Sequence, residues 1–161
     1  MAVALQLERD RAYQGLLNLI IGGGVEPDTP LSECKLAVSL EIGWTPVREA
    51  LRDLARDGIL EVRPARGTFV RHLTIEDVQE IYEVRHSLEG MAAFLAAERG
   101  PTLELKAYGP KFRAMMDDPR AHNPAEIYLA GAEFHLEVLR SARNRQMLKI
   151  YEPLRLRFRL A

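Results

Sequence analysis

The opening segment of the chain has an apolar pattern of helical period that stops at a run of glycines. Apolar side chains recur three and four residues apart, as they do on one face of a helix. The pattern ends at Gly22-Gly23-Gly24, a strong stop signal. We therefore predict a first helix whose buried positions are Tyr13, Leu16, Leu17 and Ile20.

Two shorter helices are predicted next. A turn containing Pro27 and Pro30 leads to Ser32, which is well placed to cap the second helix. Thr45 is the predicted N-cap of the third helix, with Pro46 at the first helical position, where a missing N–H costs nothing. The buried face of the third helix is predicted to contain Val47, Ala50, Leu51 and Leu54.

From Asp57-Gly58 onward the pattern changes from helix to strand. Ile59–Val62 and Thr68–Val70 are predicted strands, and Pro64–Gly67 is the tip between them. Helix, helix, turn, helix and hairpin is the order of a winged helix-turn-helix. In that fold the second helix of the turn enters the DNA major groove, and we expect the hairpin tip to lie beside it.

The rest of the chain has helical patterns. Thr74 with Asp77 three residues later predicts the cap of a long helix through about Arg99, which Gly100-Pro101 ends. Later helices are predicted at Leu103–Met116, Ala125–Ala142 and from Arg145 onward. Leu154–Leu160 alternates apolar and basic residues, which fits a strand by pattern and a helix by setting.

This layout predicts a mainly α protein with two domains. Residues 1–72 form a winged helix-turn-helix of three helices plus a β-hairpin, and residues 73–161 form an all-α helical bundle domain. The composition is globular, with 47% hydrophobic and 28% charged residues. The formal net charge of −1 does not by itself indicate nucleic-acid binding, but basic surface can be local. Residues 63–72 contain Arg63, Arg66 and Arg71 and no acid.

The chain has the features of a cytoplasmic protein. Its single cysteine, Cys34, cannot form an internal disulfide, which favours a reducing compartment. The first residues lack a signal-peptide pattern. The longest apolar runs fall well short of the ~20 residues of a membrane-spanning helix. We therefore expect no membrane partner.

The first part of the chain resembles the DNA-binding domain of GntR-family regulators. The resemblance runs from about Tyr13 to Val70 and is carried by Thr45–Leu51, Leu54 and Asp57-Gly58, followed by Arg66–Val70. It implies a transcriptional regulator that reads an imperfectly palindromic operator in double-stranded DNA as a homodimer.

The second part is similar to the FCD-like, all-α ligand-sensing domain of the FadR-type branch. Ile81–Gly90 resembles the first helix of that domain, and Phe134-His135 followed by Asn144 resembles a later helix and loop. The resemblance implies that residues 73–161 bind an effector and dimerise. The effector of such domains is often a carboxylate metabolite, sometimes held through a metal. Because relatives close the cavity with further helices, we expect this domain to be incomplete.

Two positions in the DNA-binding part depart from the family. Cys34 and Trp44 stand where relatives usually carry operator-reading arginines, so the usual sequence preference is not expected here. Trp44 has two open roles, as a stacking or thymine-methyl contact or as packing against the core. The predicted DNA-binding residues are Lys35, Trp44, Thr45, Pro46, Arg48, Arg52, Arg66, Gly67 and Thr68.

Three arginines four residues apart line another face of the third helix, and they have a competing interpretation. Arg48, Arg52 and Arg56 can contact DNA, or they can form ion pairs within the helix. Of the three, Arg48 is the favoured DNA contact, by the geometry of recognition helices. The nearby acids are Glu49, Asp53 and Asp57.

Two residues of the helical domain are candidate effector ligands. Arg85 borders the apolar stripe of its helix and needs an acidic partner, either a carboxylate effector or Glu89 one turn later. His135 is a candidate ligand for the effector or a divalent metal, or else a hydrogen-bonded core histidine. Gly131 stands where metal-binding relatives often have aspartate, so no cofactor is assigned.

Other classes of function receive less support. Glu133 and Glu137 near His135 weakly suggest a metal-dependent enzyme, but no second histidine has ligand spacing on that helix and no nucleophile–base set is present. We therefore predict no enzymatic activity. The alternative is a winged-helix interaction module with degraded DNA specificity. Separately, the incomplete helical domain is expected to leave Leu156, Phe158 and Leu160 exposed at its end, as apolar surface for a partner chain to cover.

Overall fold

The computed structural model describes residues 2–26 and 28–160 and confirms the mainly α fold class. Pro27, predicted in the turn before the second helix, lies outside the described residues. The packing divides the chain into two units, one formed by Met1–Val78 with Pro153–Ala161 and the other by Gln79–Glu152. The predicted domain division at residue 72 stays a prediction.

The first unit contains a helix-turn-helix followed by a hairpin. Its helices are α1 (Ala2–Ile21), α2 (Glu33–Leu40) and α3 (Trp44–Arg56). The hydroxyl of Ser32 accepts a hydrogen bond from the N–H of Lys35 at 3.4 Å, which confirms the predicted cap of α2. The core of the unit includes Ala12, Leu16, Leu17, Ile20, Leu36, Val47, Ala50, Leu51, Leu54, Ile59, Leu60 and Leu156.

The predicted N-cap of α3 at Thr45 was wrong. Helix α3 begins at Trp44, and its N-cap is Gly43, an extended residue (φ −60°, ψ 153°) that has no capping side chain. The N–H of Val47 donates to the carbonyl of Gly43 at 3.4 Å. Pro46 therefore lies in the first turn, where helical N–H groups have no intrahelical acceptor and its missing N–H still costs nothing.

The hairpin consists of the antiparallel strands β1 (Leu60–Arg63) and β2 (Gly67–Val70), with Arg63 opposite Gly67. Gly67 has φ +114°, and a Cβ at this position would lie 3.3 Å from the Cβ of Pro30. The N–H of Leu31 donates to the carbonyl of Thr68 at 2.8 Å. These contacts fix the hairpin to the segment before α2.

The end of the chain is helical, which resolves the open question about Leu154–Leu160. Helix α7 runs over Arg145–Phe158. The prediction that Leu156 is exposed was wrong, because it is buried in the core of the first unit. Leu160 is partly buried against the same core, and Phe158 is only partly exposed.

The other helices of the chain are α4 (Ile75–Arg99), α5 (Leu103–Asp117) and α6 (Pro124–Ser141). Thr74 and Asp77 exchange hydrogen bonds of 3.0 and 3.1 Å between backbone N–H and side chain, which confirms the predicted cap of α4. The core of the second unit contains Ala92, Leu136, Val138, Leu139, Ala142, Met147 and Tyr151.

Candidate nucleic-acid interface and polar cluster

The first turn of α3 places Trp44 and Arg48 against each other. The two residues are one helical turn apart, and the guanidinium carbon of Arg48 lies 5.0 Å from the centroid of the Trp44 ring. The indole is 47% exposed, so the predicted alternative of core packing does not describe it. Within residues 2–26 and 28–160, Arg48 forms no ion pair. Its charge is therefore available on the surface of the helix.

The other two arginines on this face are paired with acids. The Nη1 of Arg52 donates to Glu49 at 2.9 Å. Arg56 pairs with Asp53, which also accepts a bond from the Nε of Arg9 at 2.6 Å. The ion-pair alternative therefore describes Arg52 and Arg56. The third nearby acid, Asp57, accepts instead from the hydroxyl of Tyr13 at 2.6 Å.

The other predicted DNA contacts of the helix-turn-helix differ in exposure. Lys35 and Cys34 are exposed on α2, and Thr45 is exposed at the start of α3. Pro46 is buried beneath them. Its contribution in this structure is to the first turn of α3 and to packing, and its predicted DNA contact stays a prediction.

The hairpin tip presents Arg66 and Gly67 to solvent, with Thr68 half-buried behind them. Arg66 makes no ion pair in the part of the chain that the structure describes. Arg63 differs, because its Nε donates to Glu61 at 2.5 Å and its guanidinium lies 4.3 Å from the Phe69 ring centroid.

The third arginine of the acid-free run is also paired. Arg71 donates to Asp77 at 2.9 Å. The acids that hold Arg63 and Arg71 lie outside residues 63–72, so counting charges within that run overestimated its free positive charge. Arg66 is the arginine of the run that remains for a ligand.

A closed polar cluster joins α4, α6 and α7 in the second unit. The Nη2 of Arg85 donates to Oε1 of Glu89 at 2.9 Å and to the hydroxyl of Tyr151 at 3.2 Å. That hydroxyl donates to the same Glu89 oxygen at 2.7 Å. The Nδ1 of His135 lies 3.1 Å from the other oxygen, Oε2. Glu89 is thus the common partner of both predicted effector ligands.

The contacts of Glu89 favour its charged form. Burial alone raises the pKa of this carboxyl group, but hydrogen bonds from His135, Tyr151 and Arg85 outweigh burial and lower the pKa from 4.5 to about 2. Burial and the bond to Glu89 raise the pKa of the Tyr151 hydroxyl, which stays a donor. The cluster is therefore an internally neutralised arginine–carboxylate site.

The surroundings of His135 do not by themselves make a metal centre. Among the described residues, no group of three histidine, cysteine or acidic side chains is arranged to hold a metal ion. Glu137, which motivated the enzyme alternative, accepts from the hydroxyl of Thr102 at 2.8 Å and from Arg140 at 3.3 Å. Thr102 in turn caps α5, so Glu137 supports a helix start.

Comparisons with known proteins match both parts of the chain. Residues 8–70 match the family described as "Bacterial regulatory proteins, gntR family", and residues 80–161 match the FCD domain. The chain is 35% identical over 84% of its length to a probable D-xylose utilization operon transcriptional repressor of Paenarthrobacter nicotinovorans, covering 59% of that protein. It is 30% identical over 84% of its length to the Nta operon transcriptional regulator of Aminobacter aminovorans, covering 64% of it.

Among solved structures, E. coli McbR/YncC superposes with a TM-score of 0.72 at 26% identity, covering 99% of this chain and 73% of that one. The fold is that of a winged-helix domain followed by a helical domain, and the relatives that share it are transcriptional regulators. The chain belongs to the GntR family, in the branch that carries an FCD domain. It spans about 60% of the length of the curated relatives it matches. None of the helices described has the length and apolar character needed to cross a membrane.

Proposed function

We propose that this chain binds an operator sequence-specifically and that a small metabolite, of the carboxylate class, changes its operator affinity. The observation that carries the proposal is the contact, at the start of α3, between the exposed Trp44 and the half-buried Arg48. The N-terminal residues of a recognition helix are those that reach base edges in the major groove. An arginine there, with no acid holding it among the described residues, has the donors that guanine recognition needs.

The remaining contacts position the protein on the duplex. Arg66 and Gly67 at the hairpin tip are placed for a minor-groove or phosphate contact, as arginines on arms and wings often are. Lys35, Thr45 and the half-buried Thr68 are proposed backbone contacts, which set register without reading sequence. A homodimer would bring two such surfaces to half-sites of an imperfect palindrome. A protein with this function would act in the cytoplasm, where it meets double-stranded DNA.

Effector binding is proposed at the polar cluster of Arg85 and His135. A carboxylate metabolite offers Arg85 an acceptor of the same kind as Glu89, whose Oε1 accepts from both Nε and Nη2 of the arginine. Binding would therefore require the effector to displace Glu89 from the arginine or to share His135 with it. Effector binding would therefore change the side-chain contacts on α4, where Arg85 and Glu89 are one turn apart.

The DNA-binding proposal is tested by selecting bound duplexes from a random pool and measuring affinity at several salt concentrations. We expect a two-fold-symmetric motif on top of salt-dependent, sequence-independent affinity. Arg113→Ala, an exposed arginine of α5, is the control. A protein that bound no duplex even at low ionic strength would contradict the proposal.

The effector proposal is tested by thermal unfolding of the wild type, Arg85→Ala and His135→Ala with a panel of small carboxylates. A ligand at 100 times its dissociation constant stabilises the folded state by about 2.7 kcal/mol. We expect at least one carboxylate to stabilise the wild type and neither variant. Equal stabilisation of wild type and variants would place the ligand elsewhere.

A second candidate function is a winged-helix interaction module with degraded DNA specificity. The observation that favours it is the exposure of Trp44 and Cys34 where relatives carry arginines, since an exposed indole also suits a protein partner. A flat but salt-dependent selection profile would favour this candidate over the first.

A further inference from the structure

We propose that Trp44 is a positioning residue that holds Arg48 ready to read a guanine in each half-site, which makes it a specificity determinant of this chain. The inference rests on the proposed function, because it concerns the same DNA-binding surface. It goes further in naming the base pair that is read, G·C, and the contact that prepares Arg48 to read it.

The spacing of the two residues explains the contact. Trp44 and Arg48 are four residues apart in α3, about 6 Å along the helix axis, and so lie on the same face. The guanidinium carbon lies 5.0 Å from the indole centroid. This distance is within the range over which a cation is attracted to a tryptophan ring. The contact restricts a long side chain that would otherwise sample many rotamers.

The chemistry of the contact decides what remains available to DNA. The attraction between a guanidinium and a ring face acts through the charge and needs no hydrogen-bond acceptor, so it does not require the N–H groups of the arginine. A carboxylate would instead occupy those N–H groups, as Glu49 occupies Nη1 of Arg52. The indole therefore orients Arg48 without consuming the donors that would bind O6 and N7 of guanine.

The neighbouring arginines of α3 show how an arginine held by an acid differs from Arg48. Arg52 and Arg56 lie on the same helix and are held by Glu49 and Asp53. Their charges are partly neutralised and their donors partly used. Within the described residues, Arg48 is the arginine of α3 that is oriented by a neutral partner. This difference assigns base reading to Arg48 and preorganisation to Trp44.

The first test compares selection profiles of the wild type with those of Trp44→Phe, Trp44→Ala and Arg48→Ala. We expect a guanine preference at one position of each wild-type half-site, by about 5- to 150-fold, and its loss in Arg48→Ala. Trp44→Ala is expected to bind the same motif with the preference at that position alone lowered about 2- to 5-fold. Trp44→Phe keeps a ring face and is expected to lose less.

The controls separate this inference from the proposed function. Tyr82→Ala removes another exposed aromatic ring, and its profile is expected to match the wild type. An unchanged guanine preference in Trp44→Ala would overturn the positioning role and leave the proposed function standing. A flat wild-type profile would overturn both. Circular dichroism of each variant identifies any loss of folding. If Trp44→Ala does not fold, the comparison of Trp44→Phe with the wild type tests the proposal instead.

A second measurement needs no DNA. Trp44 is the only tryptophan of the chain, so its fluorescence reports on this contact alone. Arg48→Ala uncovers one face of the indole, and acrylamide is expected to quench the emission more efficiently than in the wild type. The emission of the control variant Arg113→Ala should be quenched as efficiently as that of the wild type. If acrylamide quenched the emission of the wild type and of Arg48→Ala equally, the contact between Trp44 and Arg48 would not exist in solution. That result would overturn the proposal.

Discussion

Arg48 of the first unit and Arg85 of the second are similar residues in opposite situations. Each lies beside an aromatic ring, with its guanidinium carbon 5.0 Å from the centroid of Trp44 and 5.5 Å from that of Tyr151, respectively. Arg85 is 12% exposed in its side chain and bonds to Glu89. Arg48 has no such acid among the described residues.

The comparison teaches that the acid, and not the ring, decides what an arginine is free to bind. A ring orients a guanidinium and leaves its N–H edge open, whereas a carboxylate occupies that edge. Arg48 is therefore set to bind an external acceptor directly. Arg85 can do so only after Glu89 gives way. The predictions below test this distinction.

The largest effect is expected when Arg85 loses its acid. Glu89→Gln removes the carboxylate that bonds to the largely buried guanidinium of Arg85 and also weakens the bonds from Tyr151 and His135. Removing one partner of a fully buried pair costs about 3–5 kcal/mol, and the remaining exposure here reduces this to about 2–4 kcal/mol. The free energy of unfolding, measured by urea denaturation, is expected to fall by that amount.

The matched control is Glu83→Gln, an exposed acid on the same helix. Its unfolding free energy is expected to stay within about 0.5 kcal/mol of the wild type, as for most surface changes. If Glu89→Gln were as stable as this control, Glu89 would not hold Arg85 in solution. Arg85 and Arg48 would then not differ in whether an acid holds them.

The second prediction concerns binding and not stability. Arg48→Ala is expected to weaken operator binding by about 1–3 kcal/mol per half-site, the value of a bidentate arginine–guanine contact. Its unfolding midpoint should hardly change, because no ion pair is lost. Titration of the operator and urea denaturation of the same protein separate the two quantities. A large loss of stability without a change in base preference would make Arg48 a structural residue.

The third prediction is the pH dependence of the closed cluster. The pKa of Glu89 is about 2 in the folded protein, below the ordinary value of 4.5. The stability that Glu89 contributes is therefore fully present above pH 4.5 and is lost as the pH falls through about 2. Between these values the unfolding free energy of the wild type should fall more steeply than that of Glu89→Gln. Parallel curves would contradict the prediction.

Local signals were enough to predict the fold. Glycine and proline at turns, together with helical and strand periods, predicted the winged helix-turn-helix and the helices that follow. The start of α3 was misplaced because Gly43 and Thr45 are both acceptable N-caps and only the backbone distinguishes them. The alternation in Leu154–Leu160 left strand and helix open for a related reason. A period of two also places Leu156 and Leu160 four residues apart, the spacing of neighbours on a helix surface.

The sites were predictable only as far as their contacts are local. The pairs Arg52–Glu49 and Arg85–Glu89 were open alternatives in the sequence, because three- and four-residue spacings bring helical side chains together. The hydroxyl of Tyr151 was missed, since it lies 66 residues from Arg85 in the chain and meets it only through tertiary packing. Arg63 was counted as a free charge in a basic run. Its contact with Phe69 crosses the hairpin and is not visible in the sequence.

The smallest effect is expected at Arg52, the paired counterpart of Arg48 on the same helix. Its bond to Glu49 is exposed on both sides, so Arg52→Ala should cost no more than about 0.5 kcal/mol of stability. If Arg52 contacts a phosphate, Arg52→Ala should weaken binding evenly across sequences and lower the salt slope by about 1. The readout is affinity for the operator and for random duplexes at several salt concentrations.

Glu49→Gln sharpens this last test, because it removes the acid that holds Arg52 and keeps the side-chain shape. A freed Arg52 and one less negative charge on α3 should raise affinity for all duplexes by a similar factor. Base preference should stay the same in both variants. If Arg52→Ala changed the preference at a single base position, an acid-paired arginine would be reading sequence. The rule drawn from Arg48 and Arg85 would then fail on the helix where it was first observed.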